Sequence, residues 1–208
     1  MNSEHPGKPQ DLRELFVATR NPGKLAEIVT MIRPCGWVLR TLVDRRDLPD
    51  PEEEGDTFAA NALHKARELH RLTGLPTLAD DSGLEVDALG GAPGVRSKRF
   101  SQEGTTEANN QLLLRRLEGV ERRTARFRCV LALVTDAGEA TVEGTCEGSI
   151  AHTPRGEGGF GYDPLFLPAE TPGRSMAELA PEEKNRISHR GRAMSALPEL
   201  LARMVGRT

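Results

Sequence analysis

Leu78-Ala79-Asp80-Asp81-Ser82-Gly83 joins a short apolar run to two adjacent carboxylates, a hydroxyl and a glycine. The apolar residues 76–79 predict a buried strand, and the polar residues after them predict a turn where the strand stops. Ligands of α/β proteins bind at the carboxyl ends of strands, and two neighbouring acids there need a compensating cation. Mg²⁺ prefers oxygen ligands and is the candidate. An acidic turn in water is the alternative, because Asp and Ser are ordinary turn residues.

A helix is predicted immediately before this stretch, over residues 57–73, with Asp56 as its N-cap. Its apolar residues recur at steps of three and four and mark the face that packs on the core. They are Phe58, Ala62, Ala66, Leu69 and Leu72. Asn61 and Lys65 are four residues apart, so they share another edge of the helix.

An acidic run precedes that helix. It contains Asp47, Asp50, Glu52, Glu53, Glu54 and Asp56. Charge runs of this kind are usually solvated loops, which is the simpler interpretation. The run is nevertheless a close sequence neighbour of the Asn61/Lys65 edge and of the two aspartates.

A strand, a turn and a helix are predicted near the start of the chain, over residues 15–19, 20–24 and from about Pro22 onward. This arrangement aims backbone N–H groups and a helix dipole at an anion, and Lys24 adds a positive charge. The turn is not a Walker A loop, because Ala18 stands where that motif needs glycine and Leu25 where it needs a hydroxyl. A plain strand-to-helix turn with a surface lysine is the alternative. Residues 37–42 predict a second strand.

The second half of the chain predicts a helix over residues 105–117 and two paired strands over residues 126–134 and 140–144. Asp136-Ala137-Gly138 is the turn between these strands, and residues 144–151 predict a further strand. Ser188 is a suitable N-cap for a last helix that reaches about Met204. His189 and Arg190 then lie in its first turn, where a histidine is often purely structural.

Residues 156–164 form a glycine-rich stretch that holds Phe160 and the only tyrosine of the chain, Tyr162. Glycine permits close approach of the backbone to a ligand, and an aromatic ring in such a loop can stack on a base. A mobile surface hairpin is the alternative.

Composition excludes several classes of protein. The 208 residues fit one domain, or one domain with a lobe. The net charge of -3 gives no general attraction to nucleic acid, and no apolar run approaches the roughly 18 residues of a membrane helix. Three scattered cysteines argue against a disulfide framework or a zinc site and favour a reducing cytoplasm. Residues 1–13 are expected to form a flexible N-terminal tail that lacks the apolar core of a signal peptide.

Six stretches, taken together and in this order, resemble the inosine triphosphate pyrophosphatase family, whose members act on non-canonical purine nucleotides. The stretches are residues 18–24, 57–62, 79–84, 90–95, 158–164 and 187–191. The resemblance covers the chain from Phe16 to about Met204. It implies an α/β fold in which a long central mixed β-sheet is flanked by helices and two lobes enclose an active-site cleft.

The resemblance also implies a reaction. ITP, dITP and XTP would be hydrolysed to the monophosphate and pyrophosphate with Mg²⁺ as cofactor, which prevents their incorporation into DNA and RNA. Residues 14–208 would form a single catalytic domain, and the protein would be a homodimer.

Residue roles follow from the same resemblance. The triphosphate would be held by Thr19, Asn21, Gly23, Lys24 and Lys65, and Ser82 would also contact the substrate. Phe160 would stack on the purine, and the other contacts would come from Gly161, Tyr162, Asp163, Lys184, His189 and Arg190. The metal would be bound by Glu53, Asp80 and Asp81, with Glu52 as the alternative to Glu53. Asp81 would also be the proton acceptor. Arg20 receives no role, because that position varies in the family.

Base selection has a physical basis in this set. Hypoxanthine and xanthine carry an acceptor oxygen at position 6, where adenine carries an amino donor. An arginine or a protonated histidine can donate to the oxygen and cannot satisfy the amino group. How the 2-amino group of guanine is rejected stays open. The rival functions are a pyrophosphatase for modified pyrimidine nucleotides, as in the similarly folded Maf-like group, and a nucleotide-binding sensor.

Overall fold

The computed structural model describes residues 13–32 and 36–205, and these contain a mixed six-stranded sheet with helices on both faces. The strands are β1 (Glu14–Val17), β2 (Val38–Thr41), β3 (Thr77–Val86), β4 (Thr124–Thr135), β5 (Gly138–Ile150) and β6 (Phe166–Pro168). The α-helices are α1 (Pro22–Ile32), α2 (Phe58–Thr73), α3 (Thr106–Arg116), α4 (Pro181–Ile187), α5 (His189–Ser195) and α6 (Leu197–Met204). Short 3₁₀ segments span Asp87–Leu89, Gly94–Arg99 and Met176–Glu178.

The strand order is β2-β1-β3-β4-β5-β6. β1 is parallel to both β2 and β3, whereas β3, β4, β5 and β6 pair antiparallel to one another. The parallel β1–α1–β2 unit explains why strand, turn and helix signals alternate near the start of the chain. This architecture confirms the predicted fold class.

Three hydrophobic clusters divide the molecule into two lobes. In the first lobe, Leu78 packs with α1 and α6 on one face of the sheet, and Ala79 packs with α2 on the other. In the second lobe, Leu84 and Phe127 lie in a separate core with residues of α3, β5 and β6. The strands β3 and β4 run side by side from one lobe into the other. The cleft described below lies at the junction of the two lobes. The predicted two-lobed architecture is therefore confirmed.

The prediction that a strand stops before Asp80 is wrong. β3 continues through both aspartates to Val86, because β4 pairs with it residue by residue from Thr77–Val134 to Val86–Ala125. The ladder satisfies the backbone groups that a turn would have exposed, and ion pairs compensate the two carboxylates. Long-range pairing has here overridden the turn preference of Asp-Asp-Ser-Gly.

Three smaller expectations are also corrected. Thr57, not Asp56, caps α2, because its hydroxyl accepts a hydrogen bond from the Ala60 amide. The strand predictions 140–144 and 144–151 are two parts of the single strand β5. The last helix is divided at Ala196, and α6 restarts with Pro198 in its first turn, where the missing N–H costs nothing.

The predicted tail lies outside the described residues, except for Arg13. Within the described residues, no helix combines the length and apolar character needed to cross a membrane.

Candidate active site

Asp80 and Asp81 point to opposite faces of the sheet. They are consecutive residues of β3, paired with Leu131 and Val130 of β4, and successive side chains of a strand alternate between faces. The sequence suggested that one cation compensates both carboxylates. Because they lie on opposite faces, they do not need to share one. Each has its own set of partners.

The Asp80 carboxylate is buried among cations and donors. One oxygen is in an ion pair with Lys24 and accepts a hydrogen bond from the Ser82 hydroxyl at 3.2 Å. The other oxygen lies 3.0 Å from Arg190 Nε and 2.9 Å from the Cys129 thiol. Burial alone would raise the pKa of this carboxyl, but the charges of Arg190 and Lys24 outweigh it and hold the pKa well below its ordinary value. Asp80 is therefore a permanent anion that fixes two cations.

The Asp81 carboxylate faces α2 on the other side of the sheet. Asn61 Nδ2 donates to it at 3.0 Å, and Lys65 Nζ lies 3.7 Å away. Burial raises the pKa of Asp81, and the positive charges of Lys65 and Lys24 offset only part of that effect. The predicted Asn61/Lys65 edge of α2 thus contacts the more basic of the two aspartates.

Lys65 ties the acidic loop to β3. Its ammonium group is 2.7 Å from a carboxylate oxygen of Glu53 and donates to the backbone carbonyl of Asp80 at 2.7 Å. Burial lowers the pKa of Lys65, but Asp81 and Glu53 raise it further, so the side chain stays charged. Glu53, whose pKa is lowered, contacts Lys65, whereas Glu52 is exposed. The structure thus favours Glu53 over Glu52 as the acid that faces Asp81.

The turn before α1 is organised by Asn21. Its side-chain oxygen accepts hydrogen bonds from the amides of Gly23 at 2.9 Å and Lys24 at 3.1 Å, which caps the helix. The Thr19 hydroxyl accepts from the Asn21 amide at 3.1 Å. The predicted helix start at Pro22 is confirmed.

The glycine-rich loop reaches across the cleft to that turn. The Phe160 ring packs so closely on Gly23 that a Cβ at Gly23 would lie 2.5 Å from a ring carbon. Lys184 Nζ lies 4.7 Å from the ring centroid. The Asp163 carboxylate accepts from the Phe160 amide at 2.8 Å and from Lys184 at 2.6 Å. Asp163 therefore organises the loop, and Tyr162 is anchored by its hydroxyl, which donates to Ser97 O at 2.8 Å.

One cavity of about 750 Å³ contains all sixteen predicted site residues in its lining. They are Thr19, Asn21, Gly23, Lys24, Glu53, Lys65, Asp80, Asp81, Ser82, Phe160, Gly161, Tyr162, Asp163, Lys184, His189 and Arg190. The turn before α1, the acidic residues and the glycine-rich loop come from distant parts of the sequence, and the fold brings them together at the junction of the lobes.

Comparison with known proteins agrees with this arrangement. The model of the Ham1 family matches residues 15–200. This chain belongs to the Ham1 family. It is 50% identical over 199 residues to a dITP/XTP pyrophosphatase of Geobacillus kaustophilus, covering 94% of this chain and 97% of that protein. A Thermus thermophilus protein of the same name is 51% identical over 189 residues, covering 89% of this chain and 90% of its own length.

Solved structures show the same fold. A HAM1 protein from Coxiella burnetii superposes with a TM-score of 0.82 at 42% identity, covering 92% of this chain and all of that one. A nucleoside-triphosphatase, dITP/XTP pyrophosphatase, from Mycobacterium abscessus has a TM-score of 0.72 at 50% identity, covering 88% of this chain and 98% of that one. The resemblance found in the sequence motifs is confirmed.

The acidic residues of this Ham1-family site fit a metal ion that is also coordinated by phosphate oxygens of a ligand. Among the residues that the structure describes, no three acidic, histidine or cysteine side chains form a metal-binding group. Two carboxylates, Glu53 and Asp81, do converge on Lys65. Mg²⁺ is commonly held by one or two carboxylates together with substrate phosphates, which fits this pair. Both oxygens of Asp80 contact cations in the structure, and its role as a metal ligand stays a prediction.

His189 is buried and stacked on Phe127, with ring centroids 4.7 Å apart and an interplanar angle of 16°. Burial, together with the adjacent Arg190 charge, holds the pKa of His189 well below its ordinary value. The protonated histidine considered from the sequence is therefore disfavoured. Within the described structure, Nδ1 of this ring is buried without a hydrogen-bond partner.

The depressed pKa of His189 predicts acid destabilisation. The folded state keeps the ring neutral, whereas the unfolded chain takes up a proton below a pH of about 6.5. Stability should therefore fall as the pH drops from 7.5 to 5.5, by up to about 1.4 kcal/mol per pH unit from this residue. Urea unfolding of His189→Gln should show a shallower pH dependence than the wild type. The exposed His152 gives the matched control, because His152→Gln should leave the slope unchanged. Equal slopes in the wild type and His189→Gln would contradict the assignment.

Glu27 is a site residue that the sequence analysis missed. It lies on α1, where one carboxylate oxygen is 2.7 Å from Lys184 Nζ and the other pairs with Arg190. It therefore holds Lys184 and Arg190 against α1. The sequence did contain one signal for Glu27. It is three residues from Lys24, so the two side chains share a face of the predicted helix.

Proposed function

We propose that the domain formed by residues 14–208 is a nucleoside triphosphate pyrophosphohydrolase that converts ITP, dITP and XTP to the monophosphate and pyrophosphate. The proposal rests on one cavity in which three features meet. They are the capped N-terminus of α1, the carboxylates of Glu53 and Asp81, and the glycine-rich loop with Phe160 beside Lys184. Relatives of about 50% identity named dITP/XTP pyrophosphatase support the substrate class. Removing such nucleotides would prevent their incorporation into DNA and RNA.

The phosphate chain would bind at the first turn of α1. Asn21 uses its side chain to hold the amides of Gly23 and Lys24 in the cap, which presents the positive end of the helix to the cleft. Lys24 and Lys65 supply positive charge from two sides. Both lysines are held by carboxylates in the structure, so their positions are preorganised for a polyanion.

Glu53 and Asp81 would hold the Mg²⁺ that accompanies the triphosphate. When bound, the ion neutralises phosphate charge and lowers the pKa of a coordinated water. Asp81 is the candidate proton acceptor, since its raised pKa makes it a better base than an ordinary aspartate. Asn61 holds the carboxylate in one orientation through a 3.0 Å hydrogen bond. Asp80 would act on the other face by fixing Lys24 and Arg190.

The purine would bind beside Phe160, Lys184, His189 and Arg190. Three of the five N–H groups of the Arg190 guanidinium are used by Asp80, Glu27 and Ser82, so two remain for a ligand. They can donate to the 6-oxygen of hypoxanthine or xanthine but not to the amino group of adenine. Neutral His189 can donate from one ring nitrogen and accept at the other.

A product-resolved assay with Mg²⁺ on ITP, dITP, XTP, GTP, ATP and dTTP tests the proposal. We expect monophosphate and pyrophosphate from the first three substrates, at rates well above the others. Release of single phosphates would contradict the cleavage position. A preference for modified pyrimidine nucleotides would favour the Maf-like alternative, and binding without Mg²⁺-dependent turnover would favour a sensor.

Arg190→Lys should weaken the discrimination between ITP and ATP. Lysine keeps a positive charge near Asp80 but lacks the planar fork that leaves two N–H groups for the base. The ratio of kcat/KM for ITP over ATP should fall about tenfold, as for the loss of one charge-assisted hydrogen bond. Arg192→Lys is the control, since Arg192 contacts Thr145 O and Glu170 outside the cavity. An unchanged ratio in Arg190→Lys would place base recognition elsewhere.

The remaining proposals concern assembly and location. We infer a homodimer from the family resemblance, and sedimentation velocity would test it. The buried thiols of Cys129 and Cys146 suit a reducing compartment and support a cytoplasmic location. No partner of nucleic-acid or membrane type is proposed.

A further inference from the structure

Arg20 lies in the turn between β1 and α1, and its side chain binds the backbone of a distant loop. Its guanidinium donates to the backbone carbonyls of Leu42 and Leu48, both at 2.7 Å, and to Arg45 O at 3.5 Å. These three carbonyls belong to the irregular segment that follows β2 and leads into the acidic run. A residue between Thr19 and Asn21 therefore holds the start of the loop that carries Glu53.

Arg99 holds the same loop from the other side of the cleft. It lies at the end of the 3₁₀ segment Gly94–Arg99, and its Nη2 donates to Glu53 O at 2.7 Å. Beyond Glu53, the Gly55 amide donates to Asn61 Oδ1 at 2.7 Å. The loop is thus fixed through its backbone at its start by one arginine and at Glu53 by another.

The choice of acceptor matters for the charge of the cleft. Both arginines donate to carbonyl oxygens of the loop. Asp50, Glu52 and Glu54 line the cavity and, within the described residues, form no ion pair. The arginines therefore order the loop without occupying the carboxylate oxygens of Asp50, Glu52 and Glu54, which stay available to a cation in the cleft.

We propose that Arg20 and Arg99 are positioning residues that hold the acidic loop so that Glu53 faces Asp81 across Lys65. Their effect is on the affinity for the Mg²⁺–nucleotide complex rather than on the chemical step. This inference rests on the proposed function, because it assigns the acidic loop to the metal side of that site. Both arginines line the cavity, but their hydrogen bonds go to the loop backbone, and this role does not require contact with the substrate.

The first test follows the loop itself, without substrate or metal. Hydrogen–deuterium exchange of amides in residues 42–56 is compared in the wild type, Arg20→Met, Arg99→Met and Arg45→Met. Arg45 is the matched control, because its side chain lies on the same loop and, among the residues that the structure describes, pairs with Asp47 alone. We expect at least tenfold faster exchange in Arg20→Met and Arg99→Met, and wild-type exchange in Arg45→Met.

The second test separates affinity from chemistry. The Mg²⁺ concentration for half-maximal ITP hydrolysis should rise about tenfold in both variants, while kcat at saturating Mg²⁺ stays within about twofold. Arg20→Lys should recover part of the affinity, because it keeps one donor to the loop carbonyls. Unchanged exchange in residues 42–56, or a fall in kcat without a change in Mg²⁺ dependence, would overturn the inference. Lack of ITP turnover by the wild type would instead refute the proposed function, and the exchange experiment would still test the role of the arginines in loop order.

Discussion

Asp81→Asn is expected to lower kcat for ITP hydrolysis at least about 10³-fold, within the range assigned to a general base. The substitution removes the more basic carboxylate of the cleft and one of the two acids that converge on Lys65. Stability should change little, by about 1 kcal/mol or less, because Lys65 keeps its 2.7 Å contact with Glu53 and the asparagine amide can still bond to Asn61.

Initial rates of pyrophosphate release and urea unfolding, measured on the same preparations, check both parts of this prediction. Asp136→Asn is the control, because Asp136 lies exposed in the turn between β4 and β5. A folded Asp81→Asn enzyme with more than a tenth of wild-type kcat would remove Asp81 from the mechanism. Full loss of folding would show that its carboxylate is structural.

Sequence patterns over a few residues correctly predicted the helices and turns that are formed by residues close together in the chain. Asn21 caps α1 within three residues, the apolar periodicity of residues 57–73 defines α2, and Asp136-Ala137-Gly138 turns directly between β4 and β5. At the Asn21 cap the residue that carries the signal also makes the stabilising hydrogen bonds, and in α2 the periodic apolar residues form the face that is buried. Sequence and structure therefore agree there.

The errors arise where distant segments decide the outcome. Asp80 and Asp81 have turn propensity, but β4 supplies the ladder that keeps them extended. Glu27 was missed because its partner Arg190 is 163 residues away. The neutral state of His189 depends on burial, which a motif does not reveal. Local pattern thus identified the residue types of the site, while their charge states and partners came from tertiary structure.

Asp80→Asn should instead destabilise the protein by about 3–5 kcal/mol, the usual cost of removing one partner from a buried ion pair. Arg190 is 1% exposed and would keep Glu27, but its Nε would lose a 3.0 Å charged acceptor. Lys24 would lose its partner as well. Because the pKa of Asp80 is held well below its ordinary value, its contribution is present above a pH of about 4 and is lost as the pH falls further.

Urea unfolding at pH 7.5 measures this loss, with Asp81→Asn as the matched neighbour on the opposite face of β3. A fall in the midpoint without a change in the m-value would indicate lost native stability rather than an altered unfolded state. In a double-mutant cycle, Arg190→Met should cost less in the Asp80→Asn background than in the wild type, because the charge that it removes has already lost its principal acceptor. Additive losses of unfolding free energy, or equal stability of the Asp80→Asn and Asp81→Asn proteins, would contradict the assignment of a structural role to Asp80 and a catalytic role to Asp81. Coupling of the predicted sign would mean that Asp80 fixes Arg190 through its charge, a role that Asp81, on the opposite face of β3, does not share.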